Sequence, residues 1–296
     1  MFTQQQKFKK LKALVSVLTS GTGFFDTRHK LVSAYKDHKL GLTSVLHYEP
    51  ALMIPVQGQK NVRLGDKTCS YGAGDFLATF APMTLDCELV GVTEENPVMG
   101  ISIALDRLRL SKIILKIDEV DRGSRNKEGL PSGIVNGNMS DPLLDSTIRL
   151  LEVLSDPVDS AVLADAALDE VYYRLINNTL DGRLKGMLRQ HGQFQQIAKV
   201  IEFLHEHLDQ NVSIDSIASN VNMSASSLHR RFKQLMHVSP LQYVKNIRLS
   251  KAQQLILDGK NISEAGFLVG YNSPAQFSRE YKRLFGITPS ATVASL

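Results

Sequence analysis

One helix-turn-helix pattern occurs twice in the last hundred or so residues of this 296-residue chain, and that repeat limits the possible folds more than any other feature. Copy one runs from Ser213 to Pro240 (SIDSIASNVNMSASSLHRRFKQLMHVSP). Copy two runs from Asn261 to Pro289 (NISEAGFLVGYNSPAQFSREYKRLFGITP). The offset is 48 residues up to the turn and 49 after it, because the second turn carries one extra residue. Over the 17 positions from Ser224/Ser273 to Pro240/Pro289, five are identical: Ser224/Ser273, Arg230/Arg279, Lys233/Lys282, Leu235/Leu284 and Pro240/Pro289. Five more are close, among them Leu228/Phe277 and Phe232/Tyr281. A repeat of this kind is one supersecondary unit used twice.

Each copy reads as helix, turn, helix. Ser213 is a cap for a short helix whose apolar face is Ile214, Ile217 and Ala218. Ser224 caps a second helix with Leu228, Phe232 and Leu235 facing inward. In copy two, Ile262 and Ala265 face in and Gly270 marks the turn. Ser273 then opens a helix with Pro274 at its first position and Gln276 placed to complete a capping box. Two short helices joined by a tight turn form the unit that places its second helix in a DNA major groove.

With the apolar positions turned inward, Ser226, His229, Arg230 and Lys233 share the outer side of the second helix in copy one. The matching set in copy two is Ala275, Ser278, Arg279 and Lys282. A guanidinium suits the O6 and N7 edge of guanine, and an ammonium suits phosphate. Solvated surface cations are the plain alternative for any one of these residues. Recurrence of the same Arg and Lys at matched positions of two helices argues against it. Between the copies, PLQYVKNIRLSKAQQLILDG has Leu241, Val244, Ile247/Arg248, Leu249, Ala252, Leu255 and Ile256 at helical spacing and stops at Gly259. About 18 helical residues span roughly 27 Å. With a unit packed on each end, the connector could set two recognition helices roughly 34 Å apart, one DNA turn.

The segments SASSLHRRFK, SPLQYVKNIRLSKA and VGYNSPAQFSREYKRLFGITP, with their spacing, resemble the DNA-binding domain of the AraC/XylS family of bacterial transcription regulators. The resemblance covers about Phe194 to Ser290 and implies that Arg230 and Arg279 reach bases. Two positions depart from the family pattern. Gly266 stands where Ala is usual, which should weaken that helix by roughly 1 kcal/mol. Ser226 stands where some relatives carry a large aromatic, which implies weaker base readout by copy one.

Length allows about two domains. Charge is unevenly placed. The net +4 lies entirely in residues 191–296, with 11 Lys/Arg against 7 Asp/Glu; residues 1–190 hold 23 of each and cancel. A surplus this small implies affinity from placed contacts rather than from a general field, and argues against a nonspecific architectural protein. Cys69 and Cys87 match no metal motif. Reduced thiols fit a cytoplasmic protein, with a redox role for either Cys as the alternative to plain core packing. The N-terminal run is too short and too broken by Ser16 and Thr19 for a signal peptide. Phe8, Leu11, Leu14/Val15 and Leu18 read as an amphipathic helix, and no stretch has the length of a membrane span.

Residues 30–105 read as short strands separated by Pro50, Gly58, Gly65, Gly74 and Pro97, the pattern of an antiparallel barrel or jelly roll. The segment YEPALMIPVQGQKNVRLGDKTCSYGAGDFL, with PVMGISIALD and the later TIRLLEVLSDP…LDEVYYRLINN, resembles the cupin-like N-terminal domain of one AraC-type subgroup. His29, His38 and His47 fall on separate predicted elements. No His pair follows Gly58, so no metal or other cofactor is expected and a metal-dependent cupin enzyme is the disfavoured alternative. Residues 121–142 read as a mobile loop and 181–196 as the domain junction. Leu143, Leu144, Ile148, Leu151 and Leu154, then Leu163, Ala167, Val171 and Leu175, make two helix faces.

The expected architecture is α+β with two domains. Residues 1–185 form a cupin-like antiparallel β-barrel with a helical extension over about 141–185, for effector sensing or dimerisation, its effector-binding residues unassigned. Residues 190–296 form an all-α domain, expected to fold alone, with helix-turn-helix units at about 213–234 and 261–284 joined by a linker helix. The expected activity is sequence-specific DNA binding for transcription regulation, without catalysis. The expected partners are double-stranded DNA, a small-molecule effector, a second copy of the chain and, for an activator, RNA polymerase.

Overall fold

A computed structural model describes residues 3–38, 44–65, 67–120, 133–178, 191–208 and 213–294. The N-terminal part is built on two facing antiparallel sheets. Its strands are β1 (Gly23–Asp26), β2 (Val32–Asp37), β3 (Ser44–Tyr48), β4 (Ala51–Gln57), β5 (Gln59–Leu64), β6 (Lys67–Gly72), β7 (Asp75–Thr79), β8 (Met83–Val90), β9 (Val98–Ala104) and β10 (Ile134–Asn138). The first sheet has the order β1-β2-β9-β4-β7-β10 and the second β3-β8-β5-β6. The barrel expected from sequence is thus a pair of sheets, and among the described residues no ladder closes one onto the other.

Strand periodicity explains the layering, since alternate residues point to opposite faces. On the first sheet, Leu52, Ile54, Phe76, Ala78, Ile101 and Ile103 pack outward under a layer of helices, while Met53 and Leu77 join the core between the sheets. The covering helices are α1 (Gln4–Leu18), α2 (Arg107–Val120), α3 (Asp141–Ser155) and α4 (Pro157–Asn178). The amphipathic α1 begins at a Thr3/Gln6 capping box and buries Leu11 and Val15. Its Lys7 reaches Asp145 at 2.8 Å on α3. Leu163, expected on a core face, is instead 45% exposed, and Ala164, Leu168, Val171 and Tyr172 carry the buried side of α4.

The loop expected over 121–142 holds β10 at its end, paired with β7 from Ile134↔Thr79 to Asn138↔Asp75. The Asn and Gly residues that signal a loop are overridden by a free sheet edge needing a partner. Residues 121–132, and the part of the expected junction over 181–190, lie outside the described residues; 191–196 already belong to a helix.

The C-terminal part is helical: α5 (His191–Glu206), α6 (Ile214–Asn220), α7 (Ala225–Met236), α8 (Pro240–Leu257), α9 (Ile262–Leu268), α10 (Pro274–Phe285) and α11 (Pro289–Ala294). Ser213, Ser224, Ser239, Asn261 and Ser273 all cap as N-cap acceptors. The connector α8 is buried at both ends in different company. Tyr243, Val244 and Ile247 join α5, α6, α7 and the second β-sheet in one cluster, while Leu249, Ala252 and Ile256 join α9 and α10 in another. Leu241, read as part of its apolar face, is 43% exposed.

The first helix-turn-helix therefore does not close on itself. Gly133 donates its N–H to the Leu235 carbonyl at 2.8 Å at the end of α7. The Tyr243 hydroxyl donates to the Pro82 carbonyl at 2.8 Å and lies 3.1 Å from His205 Nε2. Gly65, at φ +61°, sits so close to the His237 carbonyl that a Cβ would come within 2.4 Å of it.

Candidate nucleic-acid interface

Each recognition helix is fixed by an aromatic core and leaves one stripe outside. In α7, Leu228 and Phe232 are fully buried, and Phe232 meets Tyr243 edge-on with centroids 5.4 Å apart. Ser226, His229, Arg230 and Lys233 are all exposed, at spacings of three, four and seven that place them on one face. In α10, Phe277 and Tyr281 are buried and stack in sequence with Tyr271 and Phe285. Ala275, Arg279 and Lys282 are exposed and Ser278 is half-buried. The eight residues singled out from sequence thus form two matching stripes, one per helix.

The turns reach the same geometry by different residues. In copy one Asn222 takes the left-handed conformation at φ +52°, and in copy two Gly270 does so at φ +88°. Asn is among the few side chains that tolerate this region, and Gly does so without cost. Only half of the Ser273/Gln276 capping box forms. The Ser273 hydroxyl accepts from the Gln276 N–H at 3.3 Å, while the Gln276 side chain reaches Glu280 at 3.3 Å instead of turning back. A complete box forms at Ser213 and Ser216.

Pairing separates structural cations from available ones. Arg231 donates to Gln196, Lys245 to Glu280 at 3.0 Å, and Arg248 to the Leu208 carbonyl. Arg230, Lys233, Arg279 and Lys282 form no ion pair or hydrogen bond among the described residues. Glu280, the carboxylate nearest the second stripe, is already spoken for by Tyr271, Lys245 and Gln276. Burial alone would raise its carboxyl, but those three donors outweigh it and hold the group below the usual carboxylate range. Two outward faces with unneutralised Arg and Lys at equivalent positions are what a phosphate-lined groove requires.

The arrangement agrees with the comparisons to known proteins. Residues 31–183 match the family model of the AraC-type transcriptional regulator N-terminus, and residues 217–295 match a helix-turn-helix domain. The chain belongs to the AraC-type transcriptional regulators. It has an N-terminal β-sheet domain and a C-terminal helix-turn-helix domain. It is 30% identical over 133 residues to the probable transcriptional regulator LumQ of Photobacterium leiognathi, over 43% of this chain and 54% of that protein. It is 23% identical over 247 residues to the virulence regulon transcriptional activator VirF of Yersinia enterocolitica, over 83% and 89%. The chain spans about half of LumQ and 35% of the next relative, the regulator GbdR of Pseudomonas aeruginosa. Two structures of ToxT from Vibrio cholerae share the fold. One is bound to an unsaturated fatty acid (TM-score 0.56, 12% identity, 90% of this chain and 95% of that). The other is bound to (E)-4-(8-methylnaphthalen-1-yl)but-3-enoic acid (0.55, 14%, 89% and 97%).

Of the three histidines weighed as metal ligands, His29 and His38 are engaged elsewhere, and the side chain of His47 lies outside the described residues. His29 meets Asp165 on α4 at 3.2 Å and His38 meets Thr22 at 3.3 Å. Among the described residues no group of three or more His, Cys, Asp or Glu could hold a metal. Cys69 and Cys87 both stand opposite Val62 from the two strands flanking β5. Two interstrand spacings put them roughly 10 Å apart, beyond the roughly 7 Å Cα limit for a disulfide. Burial pushes the Cys87 thiol up, away from the reactive thiolate. No helix is long and apolar enough to cross a membrane among the described residues.

A cavity of about 320 Å³ opens between the sheets, with Tyr35, Tyr48, Met53 and Lys60 in its wall. The signal was present in QKNVRL. Lys60, Val62 and Leu64 alternate inward and are all buried, so Lys60 is a cation on the core side of a strand.

Proposed function

We propose that the chain recognises a specific DNA sequence by placing α7 and α10 in successive major grooves, with Arg230 and Arg279 on base edges and Lys233 and Lys282 on phosphates. The observation that carries this is the matched pair of exposed, unpaired Arg and Lys on both helices. Each Arg follows its buried Leu228 or Phe277 by two residues, opposite the core. Each Lys lies about one turn nearer the helix C-terminus, where the DNA backbone passes. Ser226, His229, Ala275 and Ser278 complete the two contact stripes. In this reading residues 1–185 are the regulatory domain and 190–296 the DNA-binding domain. The regulatory domain senses a small organic molecule, a reading supported by the structures of ToxT, on a similar fold, bound to organic acids, and it supports homodimerisation. The protein is cytoplasmic, has no catalytic activity of its own, and meets RNA polymerase where it activates.

Titration of single Ala variants against specific and scrambled duplexes over a range of salt tests the residue roles. Arg230→Ala or Arg279→Ala should cost about 1–3 kcal/mol on the specific duplex alone. Lys233→Ala or Lys282→Ala should weaken both duplexes and flatten the salt slope by about one unit. Equal losses on both duplexes for the Arg variants would remove them from base readout. Sedimentation of the full chain tests the dimer, and a strict monomer would remove it.

A further inference from the structure

Lys60 sits where a lysine has no structural reason to be. It is 7% exposed, on the inner face of β5, and its ammonium lies 4.5 Å from the centroid of the Tyr35 ring. Among the described residues no carboxylate lies within ion-pair distance of it. Asp37 favours its charged form only through space, and burial pulls its pKa down. Beside it is a donor without an acceptor. The hydroxyl of Tyr35 is buried and makes no hydrogen bond among the described residues. Tyr48, on β3, gives its hydroxyl to the Cys87 sulfur at 3.7 Å. A buried ammonium and an unsatisfied phenol are costly unless an acceptor arrives to take their hydrogen bonds.

The rest of the cavity wall is apolar where it meets Leu46, Pro50, Ala51 and Met53, and Phe24 stands 74% exposed at its edge, 6.0 Å from the Tyr35 ring. Of the charged residues in the wall, Lys60 is buried, Lys36 and Asp37 are half-buried and Glu49 is exposed, so the deep charge is one cation and calls for one negative charge. The mostly apolar lining suits a ligand with one polar end better than a sugar or a phosphate ester, whose many oxygens each need a partner.

We propose that this cavity binds a compact organic monocarboxylate, its carboxylate on Lys60 with the Tyr35 hydroxyl as a further donor, its apolar body against Leu46, Ala51 and Met53. The assignment rests on the small-molecule reading above and names the ligand class. It also gives a route to the DNA. β3 and β8 carry Leu46, Tyr48 and Cys87 beside the cavity, and both strands touch α8. The same core continues into Phe232 and Tyr243 of the first helix-turn-helix. Filling the cavity therefore acts first on the seat of α7.

The test uses the full chain, with octanoate and 4-phenylbutyrate as acids and their methyl esters as neutral controls, read by calorimetric titration and thermal melting. Wild type should bind at least one acid and melt higher with it, and bind the matching ester at least about tenfold more weakly, the loss expected for a hydrogen bond to a charged group. Lys60→Met should melt higher than wild type without ligand, because a stranded charge is gone, and lose at least about tenfold in acid affinity. Lys60→Arg should keep acid binding if the Met variant does not fold. Binding of neither acid, equal binding of acid and ester, or acid binding unchanged in Lys60→Met would each overturn the proposal. An ester that binds equally and shifts DNA affinity would leave small-molecule sensing standing while sinking the acid. No response of DNA binding to any of the four compounds would count against both.

Discussion

The two helix-turn-helix units come from one repeat and hold their recognition stripes in the same way, but they rest on different foundations. The first shares its core with the second β-sheet through Leu235, Met236 and Tyr243, and its α7 ends against Gly65 and Gly133. The second closes around Ala265, Val269, Tyr271, Phe277 and Tyr281 with the far half of α8. Its C-terminal turn is free, and nothing lies within 4 Å of where a Cβ on Gly286 would stand. Sequence similarity therefore encodes the unit and its outward face. It does not encode what lies beneath, because that depends on which end of α8 faces the N-terminal sheets. The expectation from sequence is that residues 190–296 close on themselves; the apolar core of the second unit does so, although α10 also touches β3, and that of the first unit does not.

Gly65→Ala should break this asymmetry most strongly. The new Cβ meets a backbone carbonyl that cannot yield cheaply, and φ +61° adds strain. A loss of about 2–4 kcal/mol is expected, seen by hydrogen exchange as faster opening of residues 225–247 with 274–285 unchanged. Unchanged exchange in α7 would mean that the seat is not where stability is stored. Tyr243→Phe removes a donor to Pro82 and leaves a partly buried carbonyl to find water, so about 1 kcal/mol should go, again from the first unit alone. Urea melts followed at both units would detect it.

The second unit has its own weak point in Glu280. Its folded pKa is held below the ordinary Glu value of about 4.3. The stability it contributes is thus fully present above that value and is lost as pH falls through the depressed folded pKa. Glu280→Gln should cost about 1–2 kcal/mol at neutral pH and make the second unit less acid-sensitive below pH ~4. A variant that melts as wild type does from pH 7 down to pH 3 would contradict the role given to the carboxylate. The smallest effect belongs to Gly266→Ala. The sequence argument expects a gain of roughly 1 kcal/mol in helix propensity. The Phe277 ring, however, lies 3.1 Å from the position of that Cβ. The gain should shrink to within about 0.5 kcal/mol of zero as the ring gives way, and a full gain on thermal melting would show that the ring moves freely.

Much of the interface was legible because it is written locally. Ser caps, the three-and-four spacing of Leu228, Phe232 and Leu235, and the paired Arg and Lys are all short-range signals. What escaped was set by tertiary partners. β10 forms only because β7 offers an edge. α2 has Leu110, Ile114 and Ile117 at helical spacing, but exposed Leu108 and Leu115 blur its stripe. The Gln276 side chain prefers Glu280, one turn on, to the cap. Lys60 stood in plain alternation with Val62 and Leu64, yet its place over the Tyr35 ring depends on another strand.

The central claim is that two equivalent stripes read two grooves, and hydroxyl-radical footprinting of the bound operator tests it most directly. The account predicts two protected segments about one turn, roughly 10 base pairs, apart on one face of the duplex. Arg230→Ala should thin one segment and Arg279→Ala the other. A single protected segment, or two segments that fade equally in both variants, would contradict it.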